Sequence, residues 1–168
     1  MGQRIAVMKD GIVQQIDSPN NLYQHPSNVF VAGFIGTPSM NFLDAEIGDG
    51  RATGSGFELA LDDARRDAAG DRSRIRVGIR PEHLHLATGD TSQCRLSGSV
   101  EVVEPLGSLT MIQVKVGDTT LTAQIEPHQQ VAMGDEVALT CVPNKLYLFD
   151  PESETALIGI DSGVADGH

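Results

Sequence analysis

The chain has 168 residues, a formal net charge of −11 and a sequence pI near 4.7. An acidic surface repels phosphate backbones and anionic lipid, so we expect neither nucleic acid nor a bare membrane surface as a partner. Aromatic residues make up 4% of the chain and Trp is absent, which further disfavours a barrel that binds nucleic acid.

The chain begins with a predicted β-hairpin. Apolar residues fill Ile5–Met8 and Ile12–Ile16, and Lys9-Asp10-Gly11 lies between them. Asp-Gly between apolar runs favours a tight hairpin turn, because Gly tolerates a positive φ. A two-stranded hairpin alone is marginal in water. We therefore expect it to belong to a larger sheet, or else to pack on the domain that follows.

Residues 18–43 are predicted to form a packed helical connector. Ser-Pro at 18–19 is a typical start for a short helix over 20–24, with Ser18 or Asp17 as N-cap, and Asn28 can cap a second helix that ends near residue 35. An exposed linker would leave the apolar side chains of this segment in water, so we expect them to pack between two bodies. The residues expected at this interface are Phe30, Val31, Phe34, Ile35, Met40 and Phe42.

From residue 44 the sequence predicts short strands separated by Gly, Asp and Pro turns. Apolar and polar residues alternate over 111–116 and 120–125, and Gly117-Asp118 fits a two-residue turn with Gly first. About eight such strands are typical of a small barrel. We thus predict a mainly β fold in which a small barrel follows a hairpin and two short helices.

Three segments of this region give less regular predictions. The glycine-rich stretch 45–61 predicts a strand, a turn and a second strand, and the charged stretch 62–74 predicts an exposed loop, with or without a helical turn. The polar end, 161–168, is expected to be a flexible tail. The two cysteines, Cys94 and Cys141, form no metal-binding motif, and we expect reduced, buried or half-buried thiols in a cytosolic protein.

Several stretches resemble one protein family. Residues 4–16 resemble the last hairpin of the nucleotide-binding domain of ABC transporter ATPases, and residues 18–43 resemble the connector of maltose/sugar and glycerol-3-phosphate import ATPases. Three further stretches are similar to markers of the C-terminal regulatory region of that family: GIRPEH at 78–83, VEPLG at 103–107 and LYLFDP at 146–151. The resemblance covers about residues 4–160.

The resemblance implies a domain organisation and a function. Residues 1–17 would be the terminal hairpin of a truncated ATPase domain, 18–43 the helical connector and 44–160 an OB-type barrel known as a TOBE domain. The chain would then be the regulatory and dimerisation part of the ATP-binding subunit of an ABC importer. Expected partners are a second copy, the missing ATPase core, the membrane permease subunits, and a regulatory protein or small ligand. The expected location is the cytoplasmic face of the cell membrane.

The catalytic motifs of the family do not occur in this sequence. It contains no GxxxxGK[ST] phosphate loop, no LSGGQ-like signature and no switch histidine. A phosphate loop needs its backbone N–H groups and its Lys to hold a triphosphate. We expect no ATPase activity, no catalytic residues and no cofactor in this chain, whereas the full subunit would use ATP and Mg²⁺. The alternative is a free-standing barrel that binds a sugar or an oxyanion, although a net charge of −11 disfavours a generic anion site.

The candidate regulatory contacts are Arg80, Glu82, His83 and Glu104. The resemblance places Arg80 and Glu82 on the functional face of the barrel, as an ion pair between domains or subunits or as a pair within the barrel. His83 and His85 would share one face of an extended strand, but no nearby ligand completes a metal site, so we assign no metal.

Overall fold

The computed structural model describes residues 3–161 and begins with the predicted hairpin. Strands β1 (Ile5–Lys9) and β2 (Ile12–Asp17) pair antiparallel. Asp10 and Gly11 in the turn both have positive φ, 53° and 79°, as a tight Asp-Gly turn requires. This confirms the prediction of the first hairpin.

Two short helices form the connector: α1 (Pro19–Gln24) and α2 (Val29–Phe34). The side chain of Ser18 accepts a hydrogen bond from a backbone N–H of the first turn of α1, and Asn28 does the same for α2. Both predicted N-caps are thus confirmed. Gly36 has φ +100°, a conformation that favours glycine, just beyond the end of α2.

The rest of the described chain is one curled antiparallel sheet of eleven strands. These strands are β3 (Asn41–Gly48), β4 (Arg51–Gly54), β5 (Phe57–Ala60), β6 (Arg74–Ile79), β7 (His85–Leu86), β8 (Cys94–Pro105), β9 (Thr110–Val116), β10 (Thr119–Ile125), β11 (Glu136–Thr140), β12 (Tyr147–Phe149) and β13 (Ala156–Ile158). The main path runs β10-β9-β8-β5-β4-β3-β6-β12-β13, and β11 pairs with β7 and β8. The fold is mainly β, with the OB-like architecture expected from the sequence.

The curled sheet is closed in part by the side chain of Asn41. Its amide nitrogen donates to the carbonyl oxygen of Thr122, and its amide oxygen accepts from the N–H of Thr122, both at 2.8 Å. Asn41 therefore pairs with edge strand β10 as a neighbouring strand would. One apolar core lies inside the curl, and residues from β3 to β12 contribute to it.

Two predictions of local structure were wrong. The stretch 45–61 holds three strands instead of two, because Asp49-Gly50 forms an additional tight turn with positive φ at both residues. The stretch 62–74, predicted as an exposed loop with or without a helical turn, contains the helix α3 (Asp63–Ala69), in which Arg65 and Ala69 are buried. This helix is held by Arg65, which is 4% exposed and donates three hydrogen bonds of 2.7–3.0 Å to backbone carbonyls of the C-terminal part of the chain.

Within residues 3–161, no helix is both long and apolar enough to span a bilayer. The predicted flexible tail lies outside the described residues from 162 onward.

Candidate functional site

The connector meets the barrel at Arg80. This residue follows β6 directly, and the next residue, Pro81, opens a 3-10 helix (Pro81–His83) that ends the strand. Arg80 is only 1% exposed. A buried guanidinium needs compensating acceptors, since an unpaired buried charge costs several kcal/mol. The groups that accept hydrogen bonds from Arg80 therefore show which parts of the chain it holds together.

Besides the Tyr147 hydroxyl, at 3.4 Å from Nε, the acceptors of Arg80 are carbonyls at the C-terminal ends of both connector helices. One terminal nitrogen donates to the carbonyl oxygen of Ile35 at 2.5 Å and to that of Ala32 at 3.3 Å. The other donates to the carbonyl oxygen of Tyr23 at 3.0 Å. Carbonyls at a helix C-terminus have no partner within the helix and carry partial negative charge. A single side chain of the barrel thus caps α1 and α2 at once.

Two tyrosine rings enclose the guanidinium of Arg80. Its central carbon lies 4.3 Å from the ring centroid of Tyr23 and 5.4 Å from that of Tyr147, distances suited to cation–π contacts. The Tyr147 hydroxyl donates to the carbonyl oxygen of Tyr23 at 2.8 Å. Burial raises the pKa of Tyr147. Tyr23 of the connector and Tyr147 of β12 therefore both contact the guanidinium of Arg80.

Glu82 contacts the connector as well. The Tyr23 hydroxyl donates to its carboxylate, and burial together with this hydrogen bond raises the pKa of Tyr23. The described ion pairs include none between Arg80 and Glu82. The expected Arg80–Glu82 pair is thus replaced by two separate contacts to the connector. We call Arg80, Glu82, Tyr23 and Tyr147 the connector clamp.

An apolar cluster surrounds the connector clamp. Its buried members come from α2, from the start of the barrel and from the last strands: Ala32, Met40, Tyr147, Phe149 and Ile160. The ring of Phe42 packs edge-on against Phe149 with centroids 5.9 Å apart. Met40 and Phe42, both predicted as interface residues, therefore lie between connector and barrel.

The other predicted interface residues face the hairpin or solvent. Val31 is fully buried against Val7 of β1 and Leu22 of α1. Phe30 and Ile35 are partly buried against the same cluster. Phe34 stacks on Phe30 but remains 64% exposed. The predicted set thus divides between two interfaces and solvent.

Beyond Val7, the hairpin leaves its apolar side chains in solvent. Met8, Ile12, Val13 and Ile16 are each between 48% and 66% exposed, and Met8 is the cross-strand partner of Val13. We call these four residues the hairpin surface. Exposed apolar side chains concentrated on a small element are typical of an interaction surface.

The remaining predicted contacts lie in two separate depressions. Glu82 and Glu104 line a groove of about 610 Å³ whose walls include Val102 and Leu106. His83 instead lines a cavity of about 490 Å³, together with His85, Thr140, Cys141 and Lys145. The predicted regulatory contacts therefore do not form one site.

His83 and His85 do not share an extended strand, since His83 ends the 3-10 helix and His85 begins β7. The Nδ1 atom of His83 is buried without a hydrogen-bond partner, and burial lowers the pKa of His83. Among residues 3–161, no three His, Cys, Asp or Glu side chains are grouped to hold a metal ion.

Sequence reasoning missed both tyrosines of the connector clamp. They are the only two tyrosines of the whole chain. Their available signal was chemical, since the hydroxyl of a buried tyrosine usually has a hydrogen-bond partner. Asn41 and Arg65 were also missed, because their partners lie 79 or more residues away in sequence.

Two family models match the chain. The model of the MalK OB fold domain matches residues 36–84, and that of the TOBE domain matches residues 77–149. The first contains the end of the connector, and the two overlap at the segment that carries Arg80. Both domain types agree with the curled sheet described above.

Curated relatives match almost the whole chain. It is 38% identical over 160 residues to the sulfoquinovosyl glycerol transport ATP-binding protein SmoE of Agrobacterium fabrum, covering 94% of this chain and 44% of that protein. It is 37% identical over 161 residues to the xylose/arabinose import ATP-binding protein XacK of Haloferax volcanii, covering 94% of this chain and 42% of that protein. It is 38% identical over 168 residues to the trehalose/maltose import ATP-binding protein MalK of Thermococcus litoralis, covering 94% of this chain and 45% of that protein. The chain spans less than half the length of these relatives.

A solved structure shares the fold. The cytoplasmic molybdate-binding protein ModG, with molybdate bound, matches with a TM-score of 0.53 and 14% identity, covering 66% of this chain and 96% of that one. An identity this low supports a common architecture and carries no information on the ligand.

Proposed function

Since the chain belongs to the family of the MalK OB fold and TOBE domains, homologous to the C-terminal region of sugar-type ABC importer ATP-binding subunits, we propose that it regulates and pairs such subunits. The transported solute would be of the sugar or glycerol type, as the names of the relatives suggest. ATP and Mg²⁺ would bind to an ATPase core outside this chain. The complex would also include permease subunits, at the cytoplasmic face of the membrane.

The connector clamp is the observation that carries this proposal. Arg80 bonds to the ends of both connector helices, and Tyr147 and Glu82 contact the same connector residue, Tyr23. A joint held by several buried contacts transmits a movement of one body to the other instead of absorbing it. A barrel attached in this way can bias the opening and closing of an ATPase core through a coupling free energy.

The hairpin surface supports the same proposal. Its four apolar side chains are 48–66% exposed in the described chain, while Val7 on the same hairpin is buried against the connector. A partner that completes the sheet or packs on these residues would remove their apolar area from water. We assign the ATPase core as that partner, because residues 4–16 resemble its last hairpin.

We further propose that two copies pair through the groove that contains Glu82 and Glu104. Its rim carries Val102 and Leu106, which are 42% and 55% exposed. Apolar residues within a polar rim are typical of an interface between subunits. Leu106→Asp is expected to convert a dimer into a monomer in sedimentation velocity. Met133→Asp, at an exposed apolar residue outside the groove, is the matched control and should leave the dimer intact.

A free-standing ligand-binding barrel is the second candidate, and the cavity of about 490 Å³ is the observation in its favour, since its size suits a small molecule. This candidate does not explain the exposed hairpin surface, because a ligand in that cavity would not cover the hairpin. We therefore rank it below the regulatory module.

The central test is association with an ATPase core. The nucleotide-binding core of the SmoE relative, produced without its own C-terminal region, is titrated with this chain in a calorimeter. Saturable binding is expected. Ile12→Asp or Val13→Asp on the hairpin surface should weaken it by about tenfold or more, because each places a charge in a buried apolar contact.

Met133→Asp again serves as the control for the added charge and should bind like the unchanged chain. Absence of binding to the core, combined with saturable binding of a sugar or oxyanion to the isolated chain, would favour the second candidate. Equal weakening by Met133→Asp and Ile12→Asp would show that the hairpin surface is not the contact.

A further inference from the structure

Cys94 and Cys141 lie opposite each other where the β8–β11 ladder ends. Leu96 of β8 pairs with Leu139 of β11 in an antiparallel register. The same register places Cys94, two residues before Leu96, opposite Cys141, two residues after Leu139. Side chains two residues apart in a strand point to the same face. All four residues are buried in one core cluster. Both sulfurs therefore point to the same side of the sheet.

The backbone spacing suits a covalent link. Residues directly opposite each other in antiparallel strands have Cα atoms about 4.5–5.5 Å apart, and a disulfide spans Cα distances of about 4.4–6.8 Å. The side chain of Thr140, beside Cys141, donates to the carbonyl oxygen of Cys94 at 2.8 Å and holds the two segments together. Both thiols are free. The spacing set by the register lets the link form without a large backbone movement.

The two thiols differ in access and in acidity. Cys141 lines the cavity of about 490 Å³ beside Lys145 and is 6% exposed, whereas Cys94 is fully enclosed. The hydrogen bond from Cys141 lowers the pKa of Cys94, and the same contact together with burial raises the pKa of Cys141. An oxidant from solvent reaches Cys141 first, and Cys94 is the better thiolate to complete a second step.

We propose that Cys94 and Cys141 form a redox modification site at which a peroxide converts two thiols into a cross-strand disulfide. In the first step the sulfur of Cys141 attacks one peroxide oxygen, the O–O bond breaks, and Cys141 sulfenic acid and water form. In the second step the Cys94 thiolate attacks the sulfenic sulfur and expels hydroxide, which takes up a proton to become water. Overall two thiols lose two electrons and two protons, and hydrogen peroxide is reduced to two water molecules. This proposal does not depend on the assignment to an importer.

The disulfide would act on the segment that supports the connector clamp. Cys141 is followed at once by the 3-10 helix Pro143–Lys145 and then by β12, which carries Tyr147. A covalent tie between β8 and β11 fixes the point from which this segment starts. Oxidation is therefore expected to reduce the motion of the barrel wall behind the connector clamp.

The test begins with the reduced chain and hydrogen peroxide. The chain has two cysteines in total, so a thiol titration after denaturation reads the pair without interference. We expect both thiols to disappear, an intact mass lower by two hydrogen atoms, a monomer on a non-reducing gel and full reversal by dithiothreitol. The thermal midpoint of the oxidised chain should rise by roughly 5–10 °C, because the link constrains the unfolded chain.

Two serine variants test the order of the steps. Cys94→Ser should leave a sulfenic acid on Cys141 that dimedone traps, since no second thiol is present to displace water. Cys141→Ser should leave Cys94 unreactive toward peroxide in the native state. Peroxide treatment in urea should give the internal disulfide much more slowly than in the native chain, because the register no longer holds the sulfurs together.

Disulfide-linked dimers, sulfinic acids without loss of hydrogen mass, or an equal rate in urea would each overturn the proposal. Unchanged thiols in the native chain after treatment that oxidises the urea-unfolded chain would overturn it as well.

Discussion

The barrel and the hairpin differ in how far their apolar side chains are buried. In the barrel, strands from β3 to β12 direct their apolar side chains into one enclosed core in which most are fully buried. In the hairpin, Val7 is buried and the four residues of the hairpin surface are about half exposed or more. The barrel thus covers its own apolar residues, whereas the hairpin leaves about half or more of the surface of these four side chains in water.

The connector stands between these two regions and belongs to both. One face of α2 joins the cluster that contains Tyr147 and Phe149, and the other joins Val7 of the hairpin. Its attachment to the barrel combines that apolar cluster with the directional hydrogen bonds of Arg80. Its attachment to the hairpin combines the contact with Val7 and four hydrogen bonds made by Gln14 and Gln15. The experiments below separate these contributions, from the largest expected effect to the smallest.

The largest effect is expected from a cavity in the barrel core. Leu59→Ala in β5 removes a fully buried side chain and should lower the free energy of unfolding by about 3–5 kcal/mol. Urea unfolding followed by circular dichroism measures this change. Met133→Ala, at a residue that is 72% exposed and outside the groove, is the control and should change stability by roughly 0.5 kcal/mol or less. Equal effects of the two substitutions would contradict a closed barrel core.

The second effect is expected from the connector clamp. Arg80→Ala removes this donor from the carbonyls of Ala32 and Ile35, leaves that of Tyr23 with the Tyr147 hydroxyl as its donor, and should lower stability by about 2–4 kcal/mol. Hydrogen exchange should rise in α1 and α2 far more than in β8 or β9. Arg80→Lys keeps the charge but cannot serve all acceptors, so it should recover only part of the loss. Uniform exchange across connector and barrel would show that Arg80 supports the barrel instead.

The third effect is expected from the hairpin. Val7→Ala should cost about 1–2 kcal/mol for local opening of β1 and β2, because it thins the contact with Leu22 and Val31. Hydrogen exchange should rise in the hairpin while the urea midpoint of the barrel stays unchanged. If the barrel midpoint falls by the same amount, hairpin and barrel unfold as one unit.

The smallest effect concerns pH. Burial lowers the pKa of His83 below its usual value near 6.5, so the unfolded chain binds a proton more readily than the folded one just below that pH. Stability from this residue is present above pH 6.5 and decreases as the pH falls. Thermal midpoints between pH 7.5 and pH 5 should show the decrease, and His83→Gln should flatten it.

Local signals in the sequence predicted the local structure well. The Asp10-Gly11 turn, the Ser18 and Asn28 caps and the hairpin turn at Gly117, with φ +59°, all follow from the conformational preferences of single residues. The mainly β fold follows from alternation in the strands. Such features depend on neighbours within a few positions, so a single sequence contains them.

The features that were missed depend on distant partners. The charges of the stretch 62–74 suggested a solvated loop, yet Arg65 finds its carbonyl acceptors 79 to 94 residues further along the chain. Arg80 likewise had an acidic neighbour, Glu82, which suggested an ion pair, but its acceptors lie 45 to 57 residues earlier. A charge pattern in sequence shows that a partner is needed and does not show which one.

The hydrogen bond from Tyr147 to the carbonyl of Tyr23 spans 124 residues, and the backbone of Ile160 donates to the carbonyl of Gln24. The connector therefore leaves the ribosome long before the strand and the terminal segment that fix it. During synthesis the side of the two helices that faces the barrel stays uncovered until almost all of the barrel has been made, whereas Val7 and Leu22 already cover Val31. Contacts of such long range form slowly, and a chain stalled before β12 would present an unfixed connector to chaperones.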